Sequence, residues 1–156
     1  MHKGAALSLD NQLCFAVYAL SREITKRYQP HLKQLGLTYT QYITMLALWE
    51  ADQVTVKQLG ARLMLDSGTL TPLLKKLESM GHLTRSRDPS DERSVIIALT
   101  DQGRKLKEQA WDVPGRMFCQ AGVTQEEADA LRQHIASMMM KVQPNRIEEE
   151  MTNDDL

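Results

Sequence analysis

The stretch from Val54 to Thr100 constrains this chain more than any other, because its hydrophobic periodicity changes twice at well-marked punctuation. Thr55-Val56-Lys57-Gln58 fits a capping box, in which a threonine hydroxyl and a glutamine amide satisfy two free backbone N–H groups, and Leu59 and Leu63 follow at helical spacing. After a turn at Met64-Leu65-Asp66, Ser67 is expected to cap a second helix with Leu70, Leu73, Leu74, Leu77 and Met80 on one face. Gly81 stops that helix as a left-handed residue would. The run His82 to Arg87 then reads as a strand, Asp88-Pro89-Ser90-Asp91-Glu92 as a turn, and Arg93 to Leu99 as a second strand, with Thr100 as a fresh N-cap. The stretch is therefore two short helices followed by a two-stranded hairpin with a charged tip.

Two helices joined by a few residues match a helix-turn-helix, and a hairpin directly after them is where a winged version keeps its wing. The segment Arg87-Asp88-Pro89-Ser90-Asp91-Glu92-Arg93, then Val95, Leu99-Thr100 and Gly103, resembles the wing and following helix start of the MarR-type transcriptional regulators. The likeness covers most of the chain, since that family's flanking helices have counterparts here. It implies a mainly α fold with a small β-hairpin wing (α+β), a winged helix-turn-helix with long helical dimerisation arms. It also implies a homodimer on double-stranded, pseudo-palindromic operator DNA.

On either side of this lobe the chain reads as helix. Residues 1–9 are expected to be a loose arm, after which Asp10 caps a helix through Leu13, Val17, Leu20 and Ile24, with a kink at Pro30 and an end at Gly36. Thr38-Tyr39-Thr40-Gln41 is a second capping box and opens a helix with Tyr42, Met45, Leu46 and Trp49. A long helix follows Thr100, with Leu106 and Ala110 inward and a break expected at Pro114-Gly115. Gly122 and Thr124-Gln125-Glu126-Glu127 precede a last helix with Ala128, Leu131, Ile135, Met138 and Met139, which Pro144 ends. The division expected is a dimerisation and sensing arm at 1–37, the DNA lobe at 38–100, C-terminal dimerisation helices at 101–144 and a disordered acidic tail at 145–156. The flanking helices carry more apolar residues than a small winged core can cover, so a two-fold partner is the expected solution. A self-covering monomeric bundle is the plainer alternative.

Charge and composition narrow the function. A net charge of −1 argues against a non-specific DNA coat but not against a site-specific reader, whose positive charge need only be local. Between Arg62 and Lys105 there are eight Lys/Arg against six acids, while the last eleven residues hold five acids against one Arg. No apolar run approaches a membrane span and the start lacks a signal-peptide core, so a cytoplasmic protein with no membrane partner is expected. The four histidines (His2, His31, His82, His134) make no ligand pair at helical spacing, and the two cysteines have no metal-ligand spacing, so neither a metal nor a cofactor is expected.

Within the lobe, Ser67, Gly68, Thr69 and Thr71 lie at or near the start of the second helix, opposite its leucines, where short hydroxyls and free amides reach phosphates and base edges. Thr71-Pro72 is compatible with this because proline is tolerated in a first helical turn. Lys75 and Lys76 can grip backbone further along, and Arg85, Arg87 and Arg93 flank the wing. The resemblance implies that Arg93 enters the adjacent minor groove, with Asp88 and Asp91 organising the tip by pairing with arginines or closing the turn. Taken singly, these residues read equally well as caps and a solvated face.

What such a regulator senses turns on Cys14. With Asp10 as cap it lies about one turn into the first helix, where the dipole favours its thiolate, and Tyr18 sits four residues on along the same face. A lone cysteine on an apolar helix is more often a small buried hydrophobe. Leu9-Asp10-Asn11-Gln12-Leu13-Cys14-Phe15-Ala16, with Tyr28 and with Leu37-Thr38-Tyr39-Thr40-Gln41-Tyr42, resembles the organic-hydroperoxide-sensing branch of the MarR regulators. That resemblance implies that Cys14 is the peroxide-reactive thiol, that Tyr28 and Tyr39 hydrogen-bond to it, and that Cys119 is the resolving cysteine of an inter-subunit disulfide. On one continuous helix Cys14 and Tyr28 would stand roughly 21 Å apart at the standard rise, so a tyrosine contact needs a second subunit or a broken helix.

Three other readings compete. A regulator of the same fold could respond to a small phenolic or aromatic ligand between arm and lobe, with Cys14 incidental. A thiol peroxidase is opposed by the absence of Cys-x-x-Cys and Thr-x-x-Cys patterns, so no enzyme is expected. A plain interaction module leaves the wing's charge pattern unexplained.

Overall fold

The computed structural model describes residues 3–143, so the acidic segment 145–156 and Pro144 lie outside the described residues. The chain divides into two compact units, one ending at Pro114 and one beginning at Gly115. Its elements are α1 (Lys3–Ala6), a 3-10 turn (Leu9–Asn11), α2 (Leu13–Leu35), α3 (Tyr39–Glu50), β1 (Val54–Thr55), α4 (Val56–Leu63) and α5 (Ser67–Ser79). The wing strands β2 (Leu83–Asp88) and β3 (Asp91–Leu99) follow, then α6 (Asp101–Ala110), α7 (Val113–Ala121) and α8 (Gln125–Val142). The protein is thus mainly helical with a small antiparallel sheet.

Side-chain caps define most of the helix starts. Thr38, Thr55 and Thr124 each accept from the backbone N–H of N3, while the Gln41, Gln58 and Glu127 side chains accept from the cap amides. Thr100 caps α6 through the Gly103 amide, and Gly36 closes α2 at φ 70°.

Several boundaries differ from the sequence expectation. Asp10 sits in the 3-10 turn, and Gln12 is the N-cap of α2 without a side-chain cap bond, so Cys14 is the second residue of the helix. The described part of the arm expected to be loose, residues 3–9, is tied back locally, Asn11 Nδ2 and Gln12 Nε2 donating at 2.8 Å to the carbonyls of Ala5 and Ala6 respectively. Pro30 lies within an unbroken α2. Asp66, not Ser67, caps α5, because a carboxylate at that position receives the Thr69 amide at 2.8 Å. Pro72 is accordingly the sixth residue of α5 rather than part of its first turn, and it withholds the bond that Gly68's carbonyl would otherwise accept. The break after α6 comes at Trp111-Asp112, with Pro114 inside α7.

The sheet has three strands in the order β1-β3-β2; the short β1, unforeseen in the sequence, pairs Val54 with Ile97 and Thr55 with Ile96. Two residues are too few for a periodicity signal. The core of the first unit gathers Tyr28 and Leu32 from α2, Tyr42, Met45 and Leu48 from α3, Leu59 from α4, Leu70, Leu74 and Leu77 from α5, with Leu83, Ile97, Leu99 and Leu106. Each such side chain contributes about 1.5–3 kcal/mol by leaving water. Gly103 is required by close packing, since a Cβ there would run into the carbonyl oxygen of His82. Asp52 ties three elements together: Oδ1 accepts from the amides of Gln53 and Leu99, each at 2.8 Å, and Oδ2 from Arg104 at 3.1 Å. Among the described residues no helix is long and apolar enough to cross a membrane.

Candidate nucleic-acid interface and thiol site

The α4–turn–α5 unit is closed by Met64 in a left-handed conformation (φ 55°), and the Leu65 amide donates to Gly60. A side chain on Gly60 would collide with the Leu65 carbonyl, so the turn can be this tight only with glycine there. Buried Leu70, Leu74 and Leu77 hold α5 against the core and leave Ser67, Gly68, Thr69, Lys75 and Lys76 exposed, with Thr71 half-buried. Thr69 Oγ1 also lies 3.3 Å from Asp66 Oδ2, and its amide and hydroxyl keep the Asp66 carboxyl below the usual carboxylate range.

In the wing, the register from Leu83↔Leu99 to Arg87↔Val95 would bring Asp88 opposite Ser94. Asp88 pairs with Asp91 instead, so Glu92, Arg93 and Ser94 bulge from β3 and project Arg93 into solvent. Both acids close the tip. Asp88 Oδ1 accepts from the amide and hydroxyl of Ser90 at 2.9 and 2.7 Å, and Asp91 accepts from the Arg93 amide at 3.0 Å and the Ser94 hydroxyl at 2.9 Å. Arg87 donates to the Glu92 carbonyl at 3.3 Å. Arg85 is held differently: its Nε and its amide donate to Glu78 of α5 at 2.9 and 3.0 Å, which lowers the Glu78 pKa and fastens the wing to the helix before it. Glu78 and Asp66 were missed in the sequence, where Glu78 lies seven residues from its partner and across a change of element.

The two thiols, Cys14 near the start of α2 and Cys119 on α7, are both free and exposed. Among the described residues of the single chain, then, nothing covers the Cys14 thiol. Around it Leu13, Phe15, Val17 and Tyr18 are exposed too, at 59, 39, 51 and 57%. Tyr18 Oη accepts from Arg22 Nη1 at 3.3 Å, and the Arg22 guanidinium carbon lies 5.5 Å from the Tyr18 ring centroid. Tyr28 and Tyr39 meet further along, with ring centroids 5.3 Å apart, and Tyr42 completes the cluster at 5.8 Å from Tyr28 and 6.4 Å from Tyr39. Burial, and then the neighbouring Tyr42 and Tyr39, push the Tyr28 phenol up to about 12. Tyr42 was legible only as a core residue, although Tyr39 and Tyr42 share a face at i, i+3. Among the described residues its buried hydroxyl has no hydrogen-bond partner, and Tyr42 lines a cleft of about 230 Å³ with Leu46, Trp49, Lys107 and Trp111. Among the described residues no cluster of His, Cys, Asp or Glu could hold a metal ion.

Comparison with known proteins places this architecture. A family model described as transcriptional regulator SarA/Rot matches residues 26–110. The organic hydroperoxide resistance transcriptional regulator of Bacillus subtilis is 50% identical over 127 residues, covering 81% of this chain and 84% of that protein. Among solved structures, reduced AbfR bound to DNA, from a Staphylococcus epidermidis protein, superposes with a TM-score of 0.74 at 36% identity, covering 90% of this chain and 97% of that one. Disulfide-formed AbfR gives 0.62 at 37% identity, covering 88% and 96%. The helix-turn-helix with its bulged wing and these likenesses over most of the chain agree: this protein belongs to the MarR- and SarA/Rot-type winged-helix, DNA-binding transcriptional regulators, in the branch of the organic-hydroperoxide-resistance regulators.

Proposed function

We propose that this chain is a cytoplasmic, dimeric repressor that holds a pseudo-palindromic operator while reduced and releases it when an organic hydroperoxide oxidises Cys14. One observation carries the reading. Cys14 is exposed at the start of α2, whereas Tyr28 lies fourteen residues further along the same unbroken helix, roughly 21 Å away at the standard rise. Tyr28, Tyr39 and Tyr42 can therefore meet a thiol of this kind only from a second copy. The exposed Leu13, Phe15 and Val17, and an α8 in which Leu131, Ile135, Met138 and Val142 form one exposed stripe and no residue is buried, supply apolar surface for that copy.

In this scheme, peroxide converts Cys14 to a sulfenic acid, which condenses with the partner's Cys119 to give a disulfide and water. Linking the two helices displaces the paired lobes from their half-sites. That AbfR exists both reduced on DNA and disulfide-formed supports a switch between two such states, and this chain overlays better on the former. On DNA, Ser67, Gly68, Thr69 and Thr71 face the major groove, Lys75, Lys76 and Arg87 the backbone, and Arg93 the minor groove. Arg85 acts through Glu78 by fixing the wing's angle. Each thiol reacts once per release, as a sensor and not as a turnover enzyme.

A second reading is favoured by the cleft that Tyr42 lines with Trp49, Trp111 and Lys107: an aromatic acid bound there would release DNA with Cys14 unreacted. Binding of the protein to its own upstream DNA, with and without cumene hydroperoxide, separates the two for wild type, Cys14→Ser and Cys119→Ser. Release of wild type with retention of Cys14→Ser is expected. Release of both alike would remove Cys14 from the mechanism, and failure of the reduced protein to bind would remove the operator reading.

A further inference from the structure

Cys14, Tyr18 and Arg22 recur every four residues on α2 and so share one face of it. Helical side chains lean toward the N-terminus, so each long one covers the turn before its own. The contact between Arg22 and Tyr18 has this direction: the guanidinium reaches back over the ring and donates to Oη at 3.3 Å. The same lean directs the Tyr18 side chain toward the turn that holds Cys14, four residues before it. Because Oη already accepts a bond from a cation, its own hydrogen remains available to donate.

We propose that Arg22 is a positioning residue for peroxide reduction at Cys14, aiming the Tyr18 phenol so that it protonates the departing alkoxide. The inference rests on the thiol-sensing reading above. The Cys14 thiolate attacks the terminal oxygen of R–O–O–H and the O–O bond breaks. Sulfur is oxidised and keeps the hydroxyl as a sulfenic acid, while the peroxide is reduced and leaves as alkoxide. The alkoxide takes the Tyr18 proton and departs as the alcohol R–OH. The phenolate left behind lies beside the Arg22 guanidinium until it regains a proton from water. General acids of this kind contribute about 10²–10⁴-fold when the leaving group is strongly basic, and almost nothing when it is not.

That dependence on the leaving group supplies the test. Thiol loss at Cys14 is followed by stopped flow in the full-length reduced Cys119→Ser protein, with tert-butyl hydroperoxide, whose alkoxide needs a proton, and with peracetic acid, whose carboxylate does not. The backgrounds are otherwise unchanged, Arg22→Gln, Arg22→Lys, Tyr18→Phe and the Tyr18→Phe/Arg22→Gln double variant. Arg22→Gln is expected to slow the alkyl hydroperoxide about tenfold and the peracid less than twofold, with Arg22→Lys recovering part of the loss and Tyr18→Phe masking it. An equal loss with both oxidants, or an Arg22→Gln penalty that persists beside Tyr18→Phe, would overturn the role through Tyr18. An unchanged rate would remove Arg22 altogether. If instead the thiol in the starting protein does not react with either oxidant, the sensing reading itself fails.

Discussion

Replacing Asp52 with alanine tests how firmly the tyrosine-bearing helix is joined to the wing. Asp52 follows α3, and its carboxylate holds the amide of Leu99 at the end of β3, the amide of Gln53, and Arg104 on α6. Leu99 is only 6% exposed, so its orphaned amide should cost about 1–3 kcal/mol. Gln53 keeps a left-handed φ of 58° that an ordinary residue adopts at a cost of about 1–2 kcal/mol, and it loses the acceptor that favours that turn. The Arg104 pair, with Arg104 half exposed, adds at most about 1 kcal/mol. A total near 2–4 kcal/mol is expected, read as urea unfolding followed by circular dichroism, with Asp52→Asn losing roughly half as much because it keeps an acceptor oxygen. Burial would raise the Asp52 pKa, but the two amides and Arg104 together lower it. The carboxylate's contribution is therefore complete above the unfolded value of about 3.9 and is lost as pH falls through the lower folded value. The gap between wild type and Asp52→Asn should stay constant from about pH 7 to 5 and close below about pH 4. An Asp52→Ala protein within about 0.5 kcal/mol of wild type at pH 7 would refute the account.

Two further outcomes follow from the site. Arg93→Ala removes an exposed guanidinium from the wing bulge, so operator affinity should fall about 10–100-fold and the salt slope flatten by about one, with folding stability unchanged; unaltered affinity would place the wing tip off the DNA. The Tyr28 phenol, at about 12, holds its proton more firmly folded than unfolded, so stability present below about pH 10 should drain away as pH rises toward 12. Ultraviolet titration of wild type against Tyr28→Phe reads the late ionisation directly, and a Tyr28 that ionises near pH 10 would contradict its burial.

Local signals in the sequence determined a large part of this protein. The capping boxes at Thr38, Thr55 and Thr124, the cap at Thr100 and the glycines at positions 36 and 81 are satisfied within a few residues of themselves, so their chemistry fixes where helices start or stop whatever surrounds them. The helix, turn, helix and hairpin order needed no more than that, and it carried the fold. Where two residues could each serve as a cap, local pattern was insufficient: Asp66 displaced Ser67, and Asp10 lost its place to an uncapped start at Gln12. What only the tertiary structure decided involves partners distant in sequence. The strand β1 exists because β3 offers Ile96 and Ile97 to it, and Asp52 finds Leu99 and Arg104 only across the folded lobe. The three-residue bulge that projects Arg93 depends on the register of β2, and the ring cluster brings Tyr28 from one helix onto Tyr39 and Tyr42 from the next. Such contacts follow from packing and register, which no short window of sequence encodes.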